Sequence, residues 1–143
     1  MKLNTGKVAF PIEFDNGDKQ EIYFNPNDPD LMIRMKNFET EVTERIKEIE
    51  DIELTVDGKP KQVEEIEIFE KAQNILKEEM DKAFGGSISA VVFKHCSPFA
   101  IVDGDYFVVH FVEAITPEIE KHIKNANAEV QGKMARHIDK YKK

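Results

Sequence analysis

The stretch Met80-Asp-Lys-Ala-Phe-Gly-Gly-Ser-Ile-Ser-Ala-Val-Val-Phe93 sets two glycines and a serine between two apolar runs. It reads either as a loop that holds a phosphate or as the joint between two helices. A phosphate loop follows a strand and opens a helix, with a Gly-Lys-Ser or Gly-Lys-Thr reaching the anion. Upstream of Gly85, however, Val63, Ile66, Phe69, Leu76, Met80 and Phe84 recur at helical spacing, and no Gly-Lys-Ser/Thr follows. Gly85 then occupies the left-handed position that closes a helix, and Ser87 reads as the N-cap of a short helix through about Phe93. The segment is a joint between helices.

Working outward from it, residues 63–84 form one helix and residues 28–51 another. Asp28 suits an N-cap, Pro29 the first helical position and Asp30 the positive end of the helix dipole. Leu31, Met35, Phe38, Val42, Ile46 and Ile49 follow on one face, with Lys36, Glu39, Glu41, Glu44, Lys47 and Glu48 opposite. Between the helices, Asp57-Gly58 and Pro60 mark a connector with room for a small turn between short extended pieces. Further upstream, Val8, Phe10, Ile12 and Phe14 alternate, and Ile22 and Phe24 answer them across Asn16-Gly17. That pair predicts a β-hairpin over residues 7–24 with a type I′ turn. Pro11 has no N–H to give a ladder, so its strand should lie at an edge.

Downstream, Phe99–Ile115 fits two structures. Its strand propensity and Asp103-Gly104 suit a hairpin, whereas Phe107, Val108, Phe111, Val112 and Ile115 form a helical stripe that we favour. Thr116-Pro117-Glu118 looks like a fresh cap and first turn, where a helix kinks or restarts. Ile119, Ile123, Ala126, Val130, Met134 and Ile138 then run at steps of three and four, so residues 87–143 are a C-terminal helical part. The expected architecture is α+β, mainly α: one domain over 1–143, with an N-terminal β-hairpin packed on a bundle of about four to five helices.

The totals restrict function. A charged fraction of 34% with net charge −8 suits solvated helices and lacks the basic footprint that nucleic acid needs. No run of about 18 apolar residues crosses a membrane, and the first residues lack a secretory apolar core. Together with the single cysteine, Cys96, this fits a reducing cytoplasm. The charge is uneven. From Gln131 to Lys143 five cations face Asp139 alone, a local +4 that leaves −12 on residues 1–130. Cations suit a helix C-terminus, and they would equally suit an acidic surface on a neighbouring copy.

Catalytic chemistry finds little support. His95-Cys96 sits in a loop without a basic cluster, and neighbours in sequence rarely face each other. His110 and Glu113 stand three apart on an apolar run, the spacing of any charged helix. The acidic runs Glu48–Asp51 and Glu64–Glu67 lack the alternating ligands and glycine of a calcium loop. We therefore expect no catalytic residues, no cofactor and no metal. The apolar helix face says more: Leu31, Met32, Met35, Phe38 and Val42 combine near-heptad steps with soft methionines, which suits core packing, the reading we favour, or a partner-binding face. The hairpin edge is a second place where a partner strand could add.

The order of parts resembles a known family. A hairpin ending in Phe24-Asn-Pro-Asn-Asp-Pro-Asp30 leads into a charged helix, and a second helix ends in Met80-Asp-Lys-Ala-Phe-Gly-Gly-Ser87. Gly104-Asp-Tyr-Phe-Val-Val-His-Phe-Val-Glu-Ala-Ile115 comes next, and the chain closes on Lys140-Tyr-Lys-Lys143. This is similar to the tail-assembly-chaperone-like proteins of long-tailed phages and prophages of Gram-positive bacteria. The resemblance implies a non-catalytic protein of the host cytoplasm that binds the tape measure protein and tail tube subunits, with room for a homo-oligomer. It carries over no catalytic residue. A structural virion protein, such as a head–tail joining or tail-completion subunit, is the alternative.

Overall fold

The chain begins with the predicted hairpin, β1 (Val8–Glu13) against β2 (Lys19–Phe24), antiparallel, with Phe10 opposite Ile22 and Val8 opposite Phe24. The computed structural model describes residues 1–53, 55–56, 59–60 and 65–141; of residues 46, 49–53, 55–56, 59–60, 65 and 135–141 it describes the backbone alone. The pleat sends Phe10, Ile22 and Phe24 into the core and leaves Ala9, Pro11 and Tyr23 outside. With only two strands in the sheet, each has one unpaired edge, so Pro11 interrupts no second ladder.

The turn differs from expectation. Only Gly17 has positive φ at this tip, and its N–H donates to the Phe14 carbonyl while the Phe14 N–H donates to the Asp18 carbonyl. A three-residue loop with a glycine bulge replaces the type I′ turn. Asn16 keeps its φ negative and uses its side-chain oxygen to accept the Asp18 N–H at 3.0 Å.

Helix α1 (Pro29–Glu53) starts as predicted, with the Asp28 carboxylate accepting the Asp30 N–H at 3.0 Å. Two short strands, β3 (Thr55–Val56) and β4 (Lys59–Pro60), pair antiparallel before α2 (Glu65–Phe84). The two helices run antiparallel, since Arg34 near the start of α1 reaches Ala83 near the end of α2, while Arg45 reaches Glu79. Val63 of the expected stripe, and the side chains of Ile46, Ile49 and Ile138, lie outside the described residues.

At the joint, Gly85 has φ +74, and both Gly85 N–H and Gly86 N–H donate to the Asp81 carbonyl. That is a glycine-closed helix end. Ser87 does not cap the next helix. Helix α3 is only Ser89–Val92, and it is the Asp81 carboxylate, reaching across from α2, that accepts both the Ser89 N–H and hydroxyl at 2.8 Å. The carboxylate satisfies donors that Ser87 would otherwise serve, and Ser87 stays exposed.

Both readings of Phe99–Ile115 are realised in succession. Strands β5 (Ile101–Val102) and β6 (Asp105–Tyr106) pair across Asp103-Gly104, whose φ values of +49 and +82 give the type I′ geometry expected at the other hairpin. Helix α4 (Phe107–Tyr141) comes at once and runs unbroken through Pro117. The expected restart does not occur. Pro117 removes one ladder bond, but Phe111, Ile115 and Ile119 on both sides of it share one core, and that packing holds the helix line.

A chain of rings joins the layers. Phe10 stacks on Phe24 with centroids 4.3 Å apart, Phe24 meets Phe84 of α2 edge-on at 4.9 Å, and Phe84 meets Phe111 of α4 at 6.0 Å. Leu31, Val42, Leu76, Met80, Ile88, Val92 and Ile119 belong to the same cluster. The fold is α+β and mainly α, with the hairpin lying on the helices and four helices among the described residues.

Candidate interaction surface

The hairpin tip is clamped from a distance in sequence. Asp18 accepts from His95 Nε2 at 2.7 Å, from Lys94 at 3.1 Å and from Gln20 at 3.0 Å, while Phe14 packs edge-on against the His95 ring. Asn16 Oδ1 is taken by the Asp18 N–H, which turns its amide nitrogen towards His95 Nδ1 at 3.4 Å. Bonds from His95, then Gln20 and Lys94, hold the Asp18 carboxyl at about 2, below its ordinary 3.8. A lowered folded-state value means that the clamp contributes fully above about 3.8 and is lost as pH falls towards 2. We expect Asp18→Asn to flatten the stability–pH curve over that window and leave its neutral limb unchanged in slope. Urea unfolding at a series of acid pH values checks it, and an equally steep variant would assign the acid limb to other carboxylates.

His95 is thus occupied by Asp18 and does not serve Cys96. Burial, then the Asp15 charge, pushes the half-buried Cys96 thiol up, towards its unreactive protonated form. His110 hydrogen-bonds the Val102 carbonyl, tying the first turn of α4 to β5, and no hydrogen bond joins it to Glu113 among the described residues. Among the described residues no group of three or more His, Cys, Asp or Glu could hold a metal ion. Of the acidic runs, most side chains lie outside the described residues.

The five residues of the expected α1 binding face separate. Leu31 and Val42 are in the core, and Met35 and Phe38 are half-buried against it, because α2 packs along that side of α1. Met32 alone of the five is exposed, at 54%, and it is joined by Ile33 at 58%. Sequence periodicity could not show Ile33, which falls off the stripe. Other large apolar side chains left in solvent include Ile66 and Phe69 on α2, Val130 and Met134 on α4, and Ile101 and Tyr106 on the β5–β6 hairpin.

Ile66 and Phe69 belong to the stripe that continues into the buried Ala72, Leu76 and Met80. Towards the start of α2 the burial fades: Ile68 is half-buried, while Ile66 and Phe69 are exposed. On α4 the stripe fades likewise, from buried Ile119 through half-buried Ile123 and Ala126 to exposed Val130 and Met134. A depression there is lined by Glu120, Ile123, Lys124, Asn127, Ala128 and Gln131, all from α4 itself, so it has no opposite wall.

Polar contacts lock the α1–α2 pair. Arg45 donates to Glu79 at 2.7 Å and to Glu78 at 2.9 Å, Lys82 lies 3.5 Å from Glu41, and Arg34 Nε donates to the Ala83 carbonyl at 2.8 Å. Burial by itself would raise the Glu79 carboxyl, yet the bond from Arg45 and the Lys82 charge outweigh it and hold the group below its usual range. No described helix is long and apolar enough to cross a membrane. Comparisons with protein-family models, curated proteins and solved structures found no match.

Proposed function

We propose that this is a non-catalytic phage tail assembly chaperone of the bacterial cytoplasm, binding the tape measure protein and tail tube subunits during tail morphogenesis. The observation that carries the reading is the Met32–Ile33 patch, apolar side chains held in solvent on the first turns of a helix whose other face is locked in the core. A long, partly apolar helical partner needs such surface, and an acidic carrier of net charge −8 keeps the complex dispersed. The methionine adapts to irregular partners.

Co-expression with a tape measure protein tests the reading, with solubility and co-purification of that protein as readouts. Met32→Glu is expected to weaken capture about tenfold or more while the helical signal is unchanged, since it loses an apolar contact and adds a charge. A folded variant that captures the partner as well as the parent would remove this face from the proposal. A slippery run and an overlapping second frame in the DNA at the 3′ end of the gene would support the assembly role independently.

A further inference from the structure

We infer that the exposed C-terminal half of α4 docks on the first two turns of α2 in a second copy of this chain. Two bare apolar faces stand on one molecule. One is Ile123, Ala126, Val130 and Met134 on α4; the other is Ile66 and Phe69 on α2. Their charges are opposite. Exposed Lys124 and Lys133 border the first face, with Glu120 beside them, and the sequence beyond it is basic, with a local +4 from Gln131 to Lys143. Exposed Glu67 and Glu70 flank the second, within a run, Glu64 to Lys71, of four glutamates and one lysine.

The two faces do not cover each other within one copy, since Val130, Met134, Ile66 and Phe69 are all more than half exposed. A continuous helix from Phe107 to Tyr141 also has no break at which to fold back. From Lys124 to Tyr141 it extends roughly 27 Å at 1.5 Å per residue, long enough to lie along several turns of another helix. Exchanged twice about a two-fold axis, the contact closes as a dimer and leaves neither face bare. The surface is separate from Met32 and Ile33, so this inference stands or falls independently of the chaperone reading.

Sedimentation of the full chain over a concentration series, at low and high salt, tests it. The expected result is a concentration-dependent dimer that salt weakens, because opposite charges flank the apolar contact. Val130→Glu and Phe69→Glu should each raise the dimer Kd by about tenfold or more. An equimolar mixture of the two variants should associate more tightly than either alone, since one of its two contacts is intact. A monomer at every concentration overturns the inference. So does a dimer indifferent to Phe69→Glu, or a mixture no tighter than its components, either of which would point to α4 pairing with α4. Both positions are solvent-exposed, and circular dichroism checks the fold; Val130→Ser and Phe69→Ser provide gentler versions of the same comparison.

Discussion

Phe24→Ala is expected to lower the free energy of unfolding by about 3–5 kcal/mol. The side chain is fully buried, at 0% exposure, and it stands between Phe10 and Phe84, at 4.3 and 4.9 Å. Truncation removes its transfer energy and leaves a cavity bounded by a second strand and a helix, neither of which can close in without the other. A two-stranded hairpin is marginal without support. The loss therefore falls on the joint between hairpin and helices as well as on one side chain. Against a typical domain stability of about 5–15 kcal/mol, this is about a fifth of the total or more. Urea unfolding followed by circular dichroism measures it, and Phe24→Leu should recover most of the loss by refilling the volume. A cost below about 1 kcal/mol for Phe24→Ala would mean that something other than the aromatic chain holds the hairpin in place.

Arg45→Met should cost about 1–3 kcal/mol, because it strands a buried carboxylate. Glu79 is 7% exposed and takes the Arg45 guanidinium at 2.7 Å. The cost falls short of the roughly 3–5 kcal/mol seen for fully buried pairs because the Arg45 side chain is 40% exposed and solvent screens it. The bond to Glu78, itself largely in water, contributes little. The informative variant is the double one. Arg45→Met with Glu79→Met removes the charge along with its partner, and should return to within about 1 kcal/mol of the parent. A double-mutant cycle by urea unfolding reads the coupling directly. Simple additivity of the two losses would show that the pair does not act as a unit.

Much of the fold was legible because its signals are local. Alternation from Val8 to Phe14, the Asp28-Pro29-Asp30 start and the Gly85 stop each depend on neighbours within a few positions, and each element appears where those residues put it. What escaped depends on distance. Ser87 was the natural cap until Asp81, on the preceding helix, took its place. Pro117 was a plausible break until packing on both sides overrode it. The type I′ turn belonged to Asp103-Gly104, where two residues separate the strands, and Asn16-Gly17 sits in a longer loop. The interaction surface was least legible. Periodicity marks which residues share a face, but Leu31 and Val42 share theirs with the core, while Ile66 and Phe69, on the stripe of the buried Leu76 and Met80, are exposed.

The exposed half of α4 has a consequence for how readily it can act. An isolated helix must first fix several residues for a single hydrogen bond, so short free segments in water are uncoiled most of the time. Here the nucleus is supplied by the packed turns around Phe111, Ile115 and Ile119, and the remainder only has to propagate from them. Gly132 weakens that propagation by about 1 kcal/mol without interrupting it. A surface presented this way meets its partner already ordered, and the entropy of coiling has been settled before the encounter begins.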